Sequence, residues 1–181
     1  MRAPVDAARI AEFMRRLGRV ARRPVRVYFT GGVTAVLEGW RPSTIDVDLK
    51  LVPDDDELLR AIVDLKERLS MNIELAAPDD FVPVQEGWES RSRFVAQEGP
   101  LTFLHFDFAA QALSKIERGH RQDQDDVRQM LERGLVTAES IQQAFDAAVS
   151  RMHRYPAIHV ETFRRAVAAV TAGDITKNGE H

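Results

Sequence analysis

Apolar residues recur every three or four positions along the first twenty residues, so that Ile10, Phe13, Met14, Leu17 and Val20 share one helical face. Asp6 stands where it can cap that helix, and Pro24 ends it. The period then changes. Residues 25–29, VRVYF, read as a buried strand, and Thr30, Gly31 and Gly32 turn the chain into a short helix, VTAVLE, closed by Gly39. Residues 45–51, IDVDLKL, alternate strictly, which predicts a strand with Ile45, Val47, Leu49 and Leu51 on its packed face. Helical spacing returns with Leu58, Leu59, Ile62, Val63, Leu65 and Leu69, behind acids at 54–56 that suit a helix N-terminus. NIELA, at 72–76, reads as a further strand.

Residues 78–88, PDDFVPVQEGW, carry the turn formers of an irregular loop. RFVAQ and LTFLHFD, separated by Glu98, Gly99 and Pro100, predict a hairpin. From Ala109 the pattern is wholly helical, in four segments, two of which stop at Gly134 and Gly173. The expected organisation is an α/β core over 1–108, a helical region over 109–175, and a frayed tail over 176–181. The fold class is α/β (α+β), a small sheet followed by a helical C-terminal half.

Composition narrows the function classes. The chain has 181 residues, 44% of them hydrophobic and 29% charged, as in ordinary soluble domains. A net charge of −3 argues against charge-driven binding to nucleic acid in general, although six arginines between Arg15 and Arg26 make the first segment basic. There is no cysteine, which excludes disulfides, thiolate metal sites and cysteine nucleophiles. No apolar run nears the ~20 residues that cross a bilayer, and the N-terminus lacks a signal-peptide core. No membrane association and a cytoplasmic location are the expectations.

Alternation along residues 45–51 puts Asp46, Asp48 and Lys50 on one face of their strand, the two carboxylates about 7 Å apart at Cα. Left bare, two such acids repel each other. A hard divalent cation, Mg²⁺ or Mn²⁺, resolves this, since Mg²⁺ takes one or two carboxylates with water and phosphate oxygens. Thr30, Gly31 and Gly32 follow a strand and open a helix, where free N–H groups favour a phosphate and glycine permits close backbone approach. A phosphate cradle joined to a cation clamp describes a nucleoside triphosphate site. His105 and His120 stand alone in the sequence.

These residues resemble a known signature. FTGGVTAVLEGWRPSTIDVDL is similar to the Gly-Gly/Ser…Asp-x-Asp motif of the nucleotidyltransferase superfamily, with its polymerase-β-like fold. Thirteen residues separate Gly32 from Asp46. Arg41, Ser43, Asp46 and Asp48 resemble the Arg-x-Ser/Thr form of the small bacterial group related to the AbiEii and MenT toxins. Lys115, Arg118, Asp123 and Asp126 resemble its Lys-x-x-Arg…Asp-x-x-Asp helix. The resemblance implies a small mixed sheet and transfer of a nucleoside monophosphate from a nucleoside triphosphate to a hydroxyl on RNA, protein or a small molecule. It implies Asp46, Asp48 and a third acid as metal-binding catalytic residues, with Thr30, Gly31, Gly32, Ser43 and Lys115 toward the nucleotide. Glu74 in NIELA is the favoured third acid, and Asp107 in HFDF is the rival, which could equally cap the next helix. An antitoxin partner is also implied. The alternative is a catalytically inactive member of the fold that binds a partner.

Overall fold

The computed structural model describes residues 3–174. They form two compact units, one of residues 3–77 and 92–106, the other of residues 78–91 and 107–174. The first unit ends at 106, and residues 78–91 group with the helices of the second. The expected tail at 176–181 lies outside the described residues.

The first unit opens with helix α1, Ala7–Val20, whose N-cap Asp6 accepts a hydrogen bond from the Arg9 amide at 2.9 Å. Strand β1, Val25–Thr30, leads to the six-residue helix α2, Gly32–Leu37. Strand β2 is Asp46–Val52, helix α3 is Asp56–Arg68 with Asp55 as its cap, and strand β3 is Asn72–Leu75. The hairpin of β4, Arg93–Glu98, and β5, Leu101–His105, completes a five-stranded mixed sheet. Its order is β3-β2-β1-β5-β4, with β1 antiparallel to β2 and parallel to β5, and β2 parallel to β3.

One sheet face presents Val27, Phe29, Val47, Leu49, Ile73 and Phe103 to α1 and α3, which meet it with Ile10, Phe13, Leu17, Leu58, Ile62 and Leu65. The alternation that put Val47 and Leu49 inward necessarily puts Asp46 and Asp48 outward, on the opposite face. Three stripe residues depart from expectation. Ile45 is 54% exposed, because the ladder of β2 starts one residue later, after Thr44 has bridged to Val5. Val20 and Val63 lie at the margins of their helical stripes and are also exposed.

In the second unit, a 3₁₀ turn at Pro78–Asp80 and the short helix α4, Trp88–Arg91, give the expected loop some regular structure. Helices α5, Phe108–Arg118; α6, Arg121–Glu132; α7, Ala138–Val149; and α8, Val160–Thr171, follow. Their inner faces bury Leu113, Ile116, Val127, Met130, Ile141, Phe145, Phe163 and Val167. Phe145 and Phe163 meet edge to face, with centroids 5.1 Å apart. Among the described residues, no helix is long and apolar enough to cross a membrane.

Candidate active site

Strand register assembles the acids. The parallel pairing of β2 with β3 sets Asp46 against Asn72 and Asp48 against Glu74. Laterally paired residues point to the same side of a sheet, so all four side chains share the face opposite the core. On the other flank of β2, Thr30 pairs with Asp48 and Tyr28 with Lys50. Asp46 and Glu74 are exposed, Asp48 is half-buried and Thr30 is buried. Glu74, favoured from its h-acid-h strand, therefore stands directly beside Asp48.

The glycine turn closes against this row. Gly31 has φ of 64°, a conformation that side-chain-bearing residues avoid, and a Cβ there would lie 3.1 Å from Oδ2 of Asp48. Gly32 is needed for a different reason. A Cβ on it would meet Oγ1 of Thr44 at 2.0 Å and Cβ of Thr44 at 2.7 Å. Thr44 cannot easily retreat, since its backbone is bonded both ways to Val5 and its hydroxyl donates to the Asp46 carbonyl at 3.1 Å. The two glycines bring the β1–α2 turn against β2, one touching the Asp48 carboxylate and one the approach to Asp46. Ser43 lies half-buried in the loop just before Thr44.

Asn72, which the motif reading did not single out, links two of the acids. Its Nδ2 donates to Oδ1 of Asp46 at 2.6 Å and to Oε1 of Glu74 at 2.9 Å. The period of β3 was a usable signal, since Asn72 stands two residues before Glu74 and so shares its face.

The remaining sequence candidates belong to the second unit. Asp107 caps α5, with Oδ1 accepting from the Ala109 amide at 3.3 Å and Oδ2 from Arg91 at 3.1 and 3.2 Å. Lys115, expected to face a phosphate, is buried in the helical unit with its ammonium 2.7 Å from Asp126 and 3.5 Å from Asp123. Arg118 donates twice to Asp123, at 2.5 and 2.7 Å. Burial alone would raise the Asp123 carboxyl, but the Arg118 hydrogen bonds and the charges of Lys115 and Arg118 outweigh it and leave it below the ordinary carboxylate range. The Lys-x-x-Arg…Asp-x-x-Asp pattern thus forms an internal ion-pair lock between α5 and α6.

His105 is not isolated. Its Nδ1 lies 2.9 Å from Thr34 Oγ1 and its Nε2 lies 3.2 Å from Glu38 Oε1, with Arg93 3.7 Å from the same carboxylate. Burial, reinforced by the charge of Arg93, pushes the imidazole down to about 4. A neutral ring suits both contacts, with Nε2–H donating to Glu38 and Nδ1 accepting from Thr34. The network ties α2 to β5 behind the glycine turn.

Whether this face fits a divalent cation can be judged from its donors. Asp46, Asp48 and Glu74 offer hard oxygen ligands, and the first and last already converge on a single hydrogen-bond donor. Among the described residues, no three His, Asp or Glu side chains meet at one point. One or two carboxylates completed by water and phosphate is, however, the set that Mg²⁺ ordinarily takes, so the residues fit such an ion.

No curated protein and no solved structure matched the chain. A family profile did, across nearly its whole length, and its match takes in the glycine turn, the acidic strand and the helices beyond them. The chain therefore belongs to the family described as "nucleotidyltransferase of unknown function" (DUF6036), whose profile covers residues 8–170.

Proposed function

We propose that the protein is a Mg²⁺- or Mn²⁺-dependent nucleotidyltransferase that moves a nucleoside monophosphate from a nucleoside triphosphate to a hydroxyl acceptor. The observation that carries this reading is the row of Asp46, Asp48 and Glu74 on one sheet face, with Gly31 packed against the Asp48 carboxylate. Asp46, Asp48 and Glu74 would hold the cation. When bound, the cation neutralises phosphate charge and eases ionisation of the attacking hydroxyl.

The acceptor oxygen forms a bond to the α-phosphorus while the bond to the α–β bridging oxygen breaks, and pyrophosphate leaves. Glu74, an exposed carboxylate at the edge of the row, takes the hydroxyl proton. The backbone of Gly31 and Gly32, at the end of the central strand, lets the triphosphate approach the acidic row closely. The six-residue α2 is too short for its dipole to hold a phosphate alone, so close approach is what the glycines contribute. Thr30 and Ser43 supply hydroxyls beside the turn. Lys115 enters this reading only through the ion pairs of the helical unit. The resemblance to AbiEii and MenT toxins favours RNA or protein as acceptor and an antitoxin as partner.

The test is transfer of label from α-³²P nucleoside triphosphates to RNA or protein of a cell lysate in the presence of Mg²⁺ or Mn²⁺. A labelled product that Asp46→Ala abolishes supports the assignment; equal labelling by that variant rejects it. A non-catalytic, partner-binding role is the second reading, favoured by the absence of three converging acids among the described residues. Calorimetry separates the two. No heat on titrating Mg²⁺ and each triphosphate together selects the second.

A further inference from the structure

Asn72 opens β3 in register with Asp46, and one amide serves two acids. An NH₂ group has two hydrogens, so Nδ2 can donate to Asp46 and Glu74 at once. Without that donor the two carboxylates would swing apart, both from mutual repulsion and because an exposed glutamate has several rotamers to occupy. Their partner must also be neutral. A lysine or arginine here would hold the acids together while cancelling the charge that attracts a cation, whereas an amide leaves that charge in place.

We propose that Asn72 is a positioning residue of the cation site, its amide holding the Asp46 and Glu74 carboxylates converged so that they are preorganised for a divalent ion. The inference rests on the reading of Asp46, Asp48 and Glu74 as cation-binding acids. Partners that orient metal-binding carboxylates ordinarily change metal affinity by about 10–100-fold when removed. The gain comes from ordering the ligands before the ion arrives.

The experiment counts free Mn²⁺ by electron paramagnetic resonance over the full chain, without nucleotide, for wild type, Asp46→Asn, Asn72→Ala and Asn72→Asp. Wild type binds Mn²⁺ and Asp46→Asn loses most of that binding. Asn72→Ala binds about tenfold more weakly, with a melting midpoint in EDTA close to wild type. Asn72→Asp keeps the shape, loses the donor and adds an anion, so its EDTA midpoint falls and Mn²⁺ raises it further than in wild type. Unchanged or tighter Mn²⁺ binding by Asn72→Ala overturns the positioning role while the cation site stands. Should Asn72→Ala not fold, Asn72→Leu, which keeps the bulk without a donor, is read by the same two outcomes. Absence of Mn²⁺ binding by wild type overturns the cation-site reading and this inference with it.

Discussion

Replacing Lys115 by methionine keeps most of its apolar stem and removes its charge. Lys115 is 7% exposed, Asp126 1% and Asp123 2%, so the three charges are out of water together. Asp123 retains two hydrogen bonds from Arg118 after the change, so the loss falls on Asp126, whose ammonium partner at 2.7 Å disappears. Removing one member of a buried pair costs about 3–5 kcal/mol, because the remaining charge stays desolvated. At roughly 2–4 °C per kcal/mol for a chain of this size, the melting midpoint should fall on the order of 10 °C. Circular dichroism melts at pH 7 measure this. The companion variant Lys115→Met with Asp126→Asn leaves no buried charge unmatched at that point and should recover at least half of the loss. An unchanged midpoint for Lys115→Met refutes the argument from burial. Unchanged stability combined with lost triphosphate binding would restore the phosphate role expected from the sequence.

His105 binds a proton less readily in the folded chain, at about 4, than in the unfolded one, at the ordinary histidine value of 6.5. The unfolded state therefore takes up more protons between those values, so stability is full above about pH 6.5 and falls as pH drops toward 4. The whole window is worth up to about 3 kcal/mol by the 1.36 kcal/mol-per-unit conversion. Urea unfolding at pH 7 and pH 5, which spans about 1.5 units of that window, should show a loss of about 2 kcal/mol in wild type and a smaller one in His105→Gln; equal losses would reject the assignment. Gly32→Ala must force its Cβ past Thr44 and should cost about 1–3 kcal/mol as overpacking. Adding Thr44→Gly removes the obstructing atoms, and a penalty for Gly32→Ala undiminished in that background would place the strain elsewhere.

Local spacing along the chain determined more of this protein than its modest length would suggest. Period-2 alternation in residues 45–51 dictates that Asp46 and Asp48 share a face whatever surrounds the strand, and a helical period fixes which side of α1 and α3 is apolar. These are properties of backbone geometry over a few residues, so they need no knowledge of the rest of the chain. Where an element begins, or how far a stripe is covered, depends on neighbours: Ile45 falls outside β2 because Thr44 bridges to Val5, and Val63 has nothing over it.

The choice between Glu74 and Asp107 shows the same division. Both occupy an apolar-acid-apolar triplet, and the sequence favours Glu74 because Asp107 stands where it could equally cap the next helix. The parallel register of β2 with β3 sets Glu74 beside Asp48, and Asp107 caps α5 and pairs with Arg91, contacts that only the folded chain supplies. Lys115 could equally have met a phosphate or a carboxylate until the packing of α5 on α6 brought Asp126 to its ammonium. Asn72 acquired its part only when a strand twenty-six residues away in sequence came alongside. Side-chain periodicity is set by covalent geometry and so is written in sequence; which side chains face one another across strands and helices is set by the burial of apolar surface over the whole unit, and only the folded chain decides it.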